Sequence, residues 1–268
     1  MNMVSEPVQD VLDLYASLVR ERLPERVMGF YVHGSIALGA YEHGFSDIDF
    51  FAVLNKRALD ADCEVLRGIH RDVAVKYDKP ILEGSYLQLQ DLGRLKSDVE
   101  PAPYYYEDQF RHAGHHDLNL VTWWVLKHRG IAVWGSPCQD LPFEVDWDVL
   151  IRRMAENLHD YWAPLIQRVK KDPATLDEDM VQWSVLGILR LFYSFREGDI
   201  TSKVGAGEYG LEVLSEKWHC ILNESIRIRQ GGTESLYDSP EKRADDTLGF
   251  MDNAFLQCVD EIEKLGVN

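Results

Sequence analysis

The stretch GFYVHGSIALGAYEHGFSDIDFFAVL (29–54) holds the residues best suited to chemistry. Gly34-Ser35 follows one apolar run, and Asp47-Ile48-Asp49 opens the next after eleven intervening residues. In an extended strand, positions i and i+2 share a face, so Asp47 and Asp49 can aim both carboxylates at one point. Hard oxygen donors in that arrangement suit Mg²⁺, which is commonly held by one or two carboxylates together with substrate phosphates. A glycine lets the backbone approach a phosphate closely, and Ser35 can offer its amide and hydroxyl at a turn. The residues together describe a site for a metal-bound nucleoside triphosphate.

The elements that must position them are legible around the motif. Val8, Val11, Leu12, Tyr15, Leu18 and Val19 recur at helical spacing before Pro24 and predict one amphipathic helix. The runs 27–32 and 47–54 predict strands joined by a tight, structured turn. Helical spacing returns over about 59–77, and 81–89 reads as a strand. A further helix is expected over about 117–129, followed by GIAVWGSP, whose Gly and Pro suggest a turn or linker. Beyond Leu141 the periodicity is helical throughout, in 147–169, 178–196, 202–229 and 240–265. Ser239-Pro240 is a helix start, with the hydroxyl capping and proline at the first helical position. The fold class expected is α+β. Residues 1–140 form a mixed sheet flanked by helices, and 141–268 form an all-α domain of four or five helices.

Composition narrows the partners. A length of 268 residues fits one large or two modest domains. Twenty-eight Lys and Arg stand against 45 Asp and Glu, a net charge of −17, and the excess is spread as −7 over 1–140 and −10 over 141–268. Such a field repels nucleic acid and anionic membrane and attracts cations, so no nucleic-acid and no membrane partner is expected. No apolar run approaches the roughly 20 residues of a membrane span, and MNMVSEPVQD lacks a signal-peptide layout, which predicts a cytoplasmic protein. Cys63, Cys138, Cys220 and Cys258 lie far apart without a CxxC pair and are expected to be reduced and packed.

Gly-Ser, eleven residues and Asp-x-Asp resembles the signature of the polymerase β-like nucleotidyltransferase superfamily. VHGSIALGAYEHGFSDIDFFAVL, LEGSYL, HDLNLVTWWVLKHRGIAVWGSP and VLGILRLFYSFREGDITSKVGAGEYGLEVL together resemble the aminoglycoside O-nucleotidyltransferases of the streptomycin and spectinomycin type. That resemblance implies an N-terminal nucleotidyltransferase domain and a C-terminal helical domain, with ATP and drug held in the cleft between them. It implies Asp47 and Asp49 as Mg²⁺ ligands, with Glu83 as the third carboxylate and the general base. Gly34, Ser35 and Ser46 would meet the triphosphate, Asp117 the nucleotide, and Arg190 and Lys203 would bring positive charge to the phosphates. The expected reaction is AMP transfer from MgATP to a hydroxyl of a cationic aminoglycoside or aminocyclitol, by a monomer. Two rival readings share the motif: a nucleotidyltransferase acting on a protein or another small molecule, as in toxin–antitoxin pairs, and a non-catalytic nucleotide-binding protein.

The chain departs from the pattern on the drug side. PYYYEDQFRH (103–112) has no tryptophan where streptomycin-modifying enzymes carry a Glu-Trp pair, and Glu178, Asp179 and Met180 replace a run that helps choose the drug. Tyr104, Tyr105 and Tyr106 cannot all be buried on one face, which leaves packing and cleft lining both open. Glu107, Asp108, Glu178 and Asp179 suit either drug amines or solvent. His112, His115 and His116 read as a polar loop ahead of the helix rather than a metal site, and Trp123 and Trp124 as core.

Overall fold

The computed structural model describes residues 4–266. The chain divides into two compact units, Met1–Val145 and Asp146–Asn268.

The first unit opens with helix α1 (Glu6–Arg22), whose Val8, Val11, Leu12, Tyr15 and Val19 are buried, as their spacing predicts. Strand β1 (Val27–Val32) leads into a four-residue helix, α2 (Gly34–Ala37), where the sequence suggested only a turn. Strand β2 (Ile48–Leu54), helix α3 (Asp60–Lys76) and strand β3 (Leu82–Gln88) complete a βαβ unit, so β2 and β3 run parallel. Two short strands follow, β4 (Ala102–Tyr106) and β5 (Gln109–Gly114), then helix α4 (Leu120–Arg129) and strand β6 (Ile131–Trp134). The six strands form one mixed sheet in the order β5-β4-β3-β2-β1-β6, antiparallel except at β2–β3.

The sheet is covered on both faces. Phe30, Val32, Phe50, Ala52, Leu82 and Tyr86 pack under α1 and α3. The alternate residues Tyr31, Phe51, Val53 and Leu87 pack with Trp123 and Leu126 of α4. Tyr86 carries the largest polar investment on the first face. Its hydroxyl is 2.7 Å from the Tyr15 hydroxyl and 2.7 Å from His70 Nε2, all three side chains being buried.

Three differences from the sequence reading have local causes. The β4–β5 hairpin turns at Glu107-Asp108, both in the left-handed region (φ 49° and 55°). Asn-Gly or Asp-Gly marks such turns, and that signal is missing here. Strand β6 is a four-residue partner of β1 inside the segment read as linker. Helix α4 starts at Leu120, because Asn119 rather than Asp117 is its cap and accepts from the Thr122 N–H at 3.0 Å.

The second unit is helical, with α5 (Trp147–Asn157) continuing through a π turn at Leu158–Trp162 into α6 (Ala163–Lys171). Helix α7 (Glu178–Glu197) is buried on nearly every side, with Val181, Val185, Ile188, Leu189 and Phe192 almost inaccessible. It packs against α8 (Lys203–Val213), α9 (His219–Arg229) and α10 (Pro240–Leu265). The segment expected as one helix over 202–229 is broken between α8 and α9. Asp146, Asp177, Ser202 and Ser239 cap α5, α7, α8 and α10 with their side chains. Glu224 of α9 is fully buried. It accepts from Arg227 at 2.9 Å, Arg243 at 3.2 Å, Ser235 at 2.8 Å and the Leu236 N–H at 2.9 Å. Burial pushes its carboxyl upward, but these donors win and hold it at about 2. Cys63, Cys138 and Cys258 are buried, whereas Cys220, expected to be packed, is exposed on α9 beside the buried Ile221. No helix among the described residues is long and apolar enough to cross a membrane.

Gly84 tests the closeness of β2 and β3, since a Cβ there would lie 2.0 Å from the Phe50 carbonyl oxygen. Gly84→Ala is expected to cost about 3 kcal/mol in denaturant unfolding, because backbone cannot yield. Gly68→Ala, at an open site on α3, is expected to leave stability equal or raised by up to about 1 kcal/mol.

Candidate active site

The motif gathers at one end of the sheet. Gly34 lies at the start of α2 with φ 62°, and a Cβ on it would fall 1.9 Å from Asp49 Oδ2. Only glycine lets the turn close over that carboxylate. The Ser35 backbone N–H donates to the Asp49 carboxylate, and the His33 N–H donates to the Asp49 carbonyl at 2.9 Å. Asp49 and Glu83 are register partners on the parallel strands β2 and β3. Asp47 stands just before β2, with Lys79 Nζ 3.8 Å from its Oδ1. Ser46 is buried in the preceding loop, where its hydroxyl accepts from the Glu42 N–H at 3.1 Å.

Asp117 reaches the same end from the α4 side. Its backbone is left-handed (φ 57°), and its Oδ1 accepts from Asn119 Nδ2 at 2.9 Å and from the Thr122 hydroxyl at 3.0 Å. Its Oδ2 lies 3.9 Å from Nδ1 of the buried His33. Burial, and secondarily His116, keeps His33 neutral, its pKa lowered to about 3, so this contact is not an ion pair.

The electrostatics of the site are those of crowded carboxylates. Burial raises Asp49 well above the usual range, and the charges of Asp117, Asp47 and Glu83 add to it, against the Ser35 N–H. Glu83 is pushed up to about 7 by burial, with Asp47, Glu107 and Asp108 adding to the rise. The Glu107 N–H, donated to Glu83 Oε1 at 3.1 Å, opposes that rise and fixes the carboxylate against the hairpin turn. Among the described residues, no three His, Cys, Asp or Glu side chains form a finished metal cage. Mg²⁺ needs none, because phosphates and water complete its shell. Buried oxygen donors with other carboxylates close by, as Asp49 and Glu83 are, fit such a cation.

Alternation along β4 separates the tyrosines. Tyr105 is buried on the α3 face, stacked 3.9 Å from the His70 ring. Tyr104 and Tyr106 lie on the opposite face against His116, and Tyr106 is close enough to Glu83 and Asp47 to feel both charges. The three histidines diverge. His112 meets Arg67 and Glu64, His115 Nε2 meets the Val99 carbonyl at 2.8 Å, and the His116 carbonyl accepts from Ser85 at 3.0 Å. Trp123 is core, as expected, while Trp124 is half-buried and stacks on His128.

In the helical unit, Arg190 lies on α7 with Nε donating to the Thr201 carbonyl at 3.2 Å, and Lys203 is the first residue of α8. Glu178, weighed as a contact for drug amines, pairs with Arg243 at 2.8 Å and Arg227 at 3.2 Å.

Two family models match the chain, a nucleotidyltransferase domain over residues 13–105 and the C-terminal domain of aminoglycoside adenylyltransferases over 157–254. The chain belongs to the aminoglycoside nucleotidyltransferases. A crystal structure of a spectinomycin adenyltransferase from Enterococcus faecialis, with ATP and spectinomycin, shares this nucleotidyltransferase's fold. The TM-score is 0.66 at 16% identity, over 92% of this chain and 99% of that one. No curated protein matches.

Sequence reasoning about this nucleotidyltransferase missed His33, Lys79 and the Glu107 N–H. His33 adjoins the Gly-Ser pair and Lys79 precedes β3, so position alone could have flagged both. The Glu107 contact had no sequence signal, because it is a backbone group delivered by the hairpin.

The raised pKa of Glu83 has a sign that can be checked. Ionising it in the folded protein is disfavoured, so a stability penalty develops as pH rises from the unfolded value near 4.5 through 7. Glu83→Gln removes the penalty. In metal-free protein it is expected to raise stability by on the order of 1 kcal/mol at pH 8 after discounting for solvent screening, and to have no effect at pH 4. Thermal unfolding at both pH values in the presence of a chelator measures it, and an equal effect at both removes the assignment.

Proposed function

We propose that this nucleotidyltransferase transfers AMP from MgATP to a hydroxyl of a spectinomycin- or streptomycin-type drug, releasing pyrophosphate. The observation that carries the reading is the pairing of Asp49 with Glu83 on adjacent parallel strands, closed over by Gly34-Ser35. In the reaction the drug oxygen forms a bond to the α-phosphorus as the bond to pyrophosphate breaks. The hydroxyl proton passes to Glu83, whose carboxyl the metal-free site holds at about 7; the ionised form that accepts the proton would be favoured by Mg²⁺ beside it.

Asp47 and Asp49, with Glu83 beside them, would hold Mg²⁺. Bound there, the ion would neutralise phosphate charge and favour in-line displacement. Gly34 leaves room at the turn, the Ser35 N–H holds Asp49, and the Ser35 hydroxyl would meet a phosphate oxygen. Buried Ser46 holds the 42–46 loop that precedes Asp47, and Asp117 braces the nucleotide side. Arg190 and Lys203 provide cations for the triphosphate, which an enzyme of net charge −17 must supply locally. The same acidity raises the local concentration of a polycationic drug.

The test is incubation of purified protein with MgATP and an aminoglycoside panel, read by mass spectrometry. A gain of one AMP on spectinomycin or streptomycin is expected. Glu83→Gln should lower kcat by at least about 10²-fold while ATP affinity changes less than about threefold. Modification of other acceptors only, with every drug in the panel unmodified, would transfer the chemistry to a different substrate. Wild-type turnover by Glu83→Gln would remove Glu83 as the base.

A further inference from the structure

We propose that the sheet face opposite the catalytic carboxylates carries a second ligand site, for a small aromatic acid. A cavity of about 540 Å³ opens between the C-terminal half of α3, the start of β3 and the β4–β5 hairpin. That volume suits a small-molecule ligand. His70, Leu82 and Tyr105 in its wall belong to the α1 and α3 side of the sheet. Asp49 and Glu83 alternate onto the side of Phe51 and Leu87, under α4.

The lining defines the ligand. Tyr77 and Phe110 present rings, and Val73, Ile81 and Leu82 an apolar floor. Buried His70 adds no charge, since burial holds it neutral, with its pKa lowered to about 3. The wall itself carries Arg67, Arg71 and Lys79 with Asp78 and Asp108, and Glu64, Asp72 and Asp47 stand beside the three cations. Arg67 is engaged by Glu64 at 2.9 Å and lies 5.9 Å from the Phe110 ring centroid, so it stiffens the wall. Arg71 meets Asp72 at 3.5 Å and Lys79 meets Asp47 at 3.8 Å. Each pair uses only part of its cation's donors, so the remaining N–H groups of Arg71 and Lys79 can turn toward a ligand. A flat ring between Tyr77 and Phe110, with one anionic group at Arg71 and Lys79, satisfies apolar and charged surfaces together.

The probe is 2-naphthoate, titrated calorimetrically into the full-length protein, with 2-naphthalenemethanol and acetate as its uncharged and ring-free counterparts. Saturable one-to-one binding is expected, with each counterpart at least about tenfold weaker. Arg71→Ala and Lys79→Met should each weaken binding about tenfold. The Arg71 side chain is 75% exposed, so its removal leaves the fold intact. Binding should persist with a saturating non-hydrolysable MgATP analogue, since the rings and Arg71 lie on the other face and only Lys79 borders both sites, through Asp47. Displacement by that analogue, acetate as tight as 2-naphthoate, unchanged affinity in both variants, or no saturable binding at millimolar concentration would each overturn the proposal.

Discussion

Burial of crowded carboxylates at one end of the sheet is the constraint on which the first unit turns. Asp49 and Glu83 are locked side by side because β2 and β3 are parallel register partners, and such partners cannot drift apart without breaking the ladder. Folding buries both carboxylates, and the cost appears as a raised proton affinity, led by burial and increased by neighbouring carboxylates, with Glu83 reaching about 7. Two backbone N–H groups, those of Ser35 and Glu107, pull the other way without adding a competing cation. The site is held in shape with Lys79 beside Asp47, and the raised proton affinity of Asp49 and Glu83 is what a metal–phosphate complex would relieve.

Rigid packing makes that arrangement possible. Phe30, Phe50 and Tyr86 on one face, and Phe51 and Trp123 on the other, fix the two central strands between helices. Gly84 lets the Phe50 carbonyl approach β3, and Gly34 lets the turn sit on Asp49. Among the described residues, four non-glycine residues have left-handed backbones; Glu25 precedes β1, while Glu107, Asp108 and Asp117 each touch or neighbour a site group. Strain there is sustained by the ladder beneath the hairpin and by the Asn119 and Thr122 bonds to Asp117.

The helical unit shows the opposite use of a buried acid. Glu224 is less accessible than Asp49, yet its carboxyl is held at about 2 because Arg227, Arg243, Ser235 and the Leu236 N–H answer it. Burial dominates both groups, and the partners decide the outcome. A carboxylate matched by fixed guanidinium groups ties α9 to α10 and offers nothing to a substrate. One matched mainly by other carboxylates is prepared for an external cation. Glu178, which pairs with the same two arginines, belongs to the first kind.

The strongly periodic elements were legible because their pattern is local. α1, β1, β2, α3, β3 and the helices of the second half, apart from the break within 202–229, follow from spacing, and Gly34-Ser35 with Asp47 and Asp49 is the candidate motif the sequence offers. The β4–β5 hairpin and β6 were not, since a turn of Glu-Asp and a four-residue edge strand are stabilised by their neighbours in the sheet rather than by their own propensity. The helix start expected near 117 falls at Leu120 instead, because Asn119 is the cap that accepts from the Thr122 N–H. Sequence alone determined which residues could bind a cation and phosphate. Only the tertiary structure decided that Asp49 faces Glu83, that a backbone N–H orients Glu83, and that Tyr105 turns away from Tyr104 and Tyr106. Each depends on strand pairing between segments distant in the chain, which no local spacing encodes.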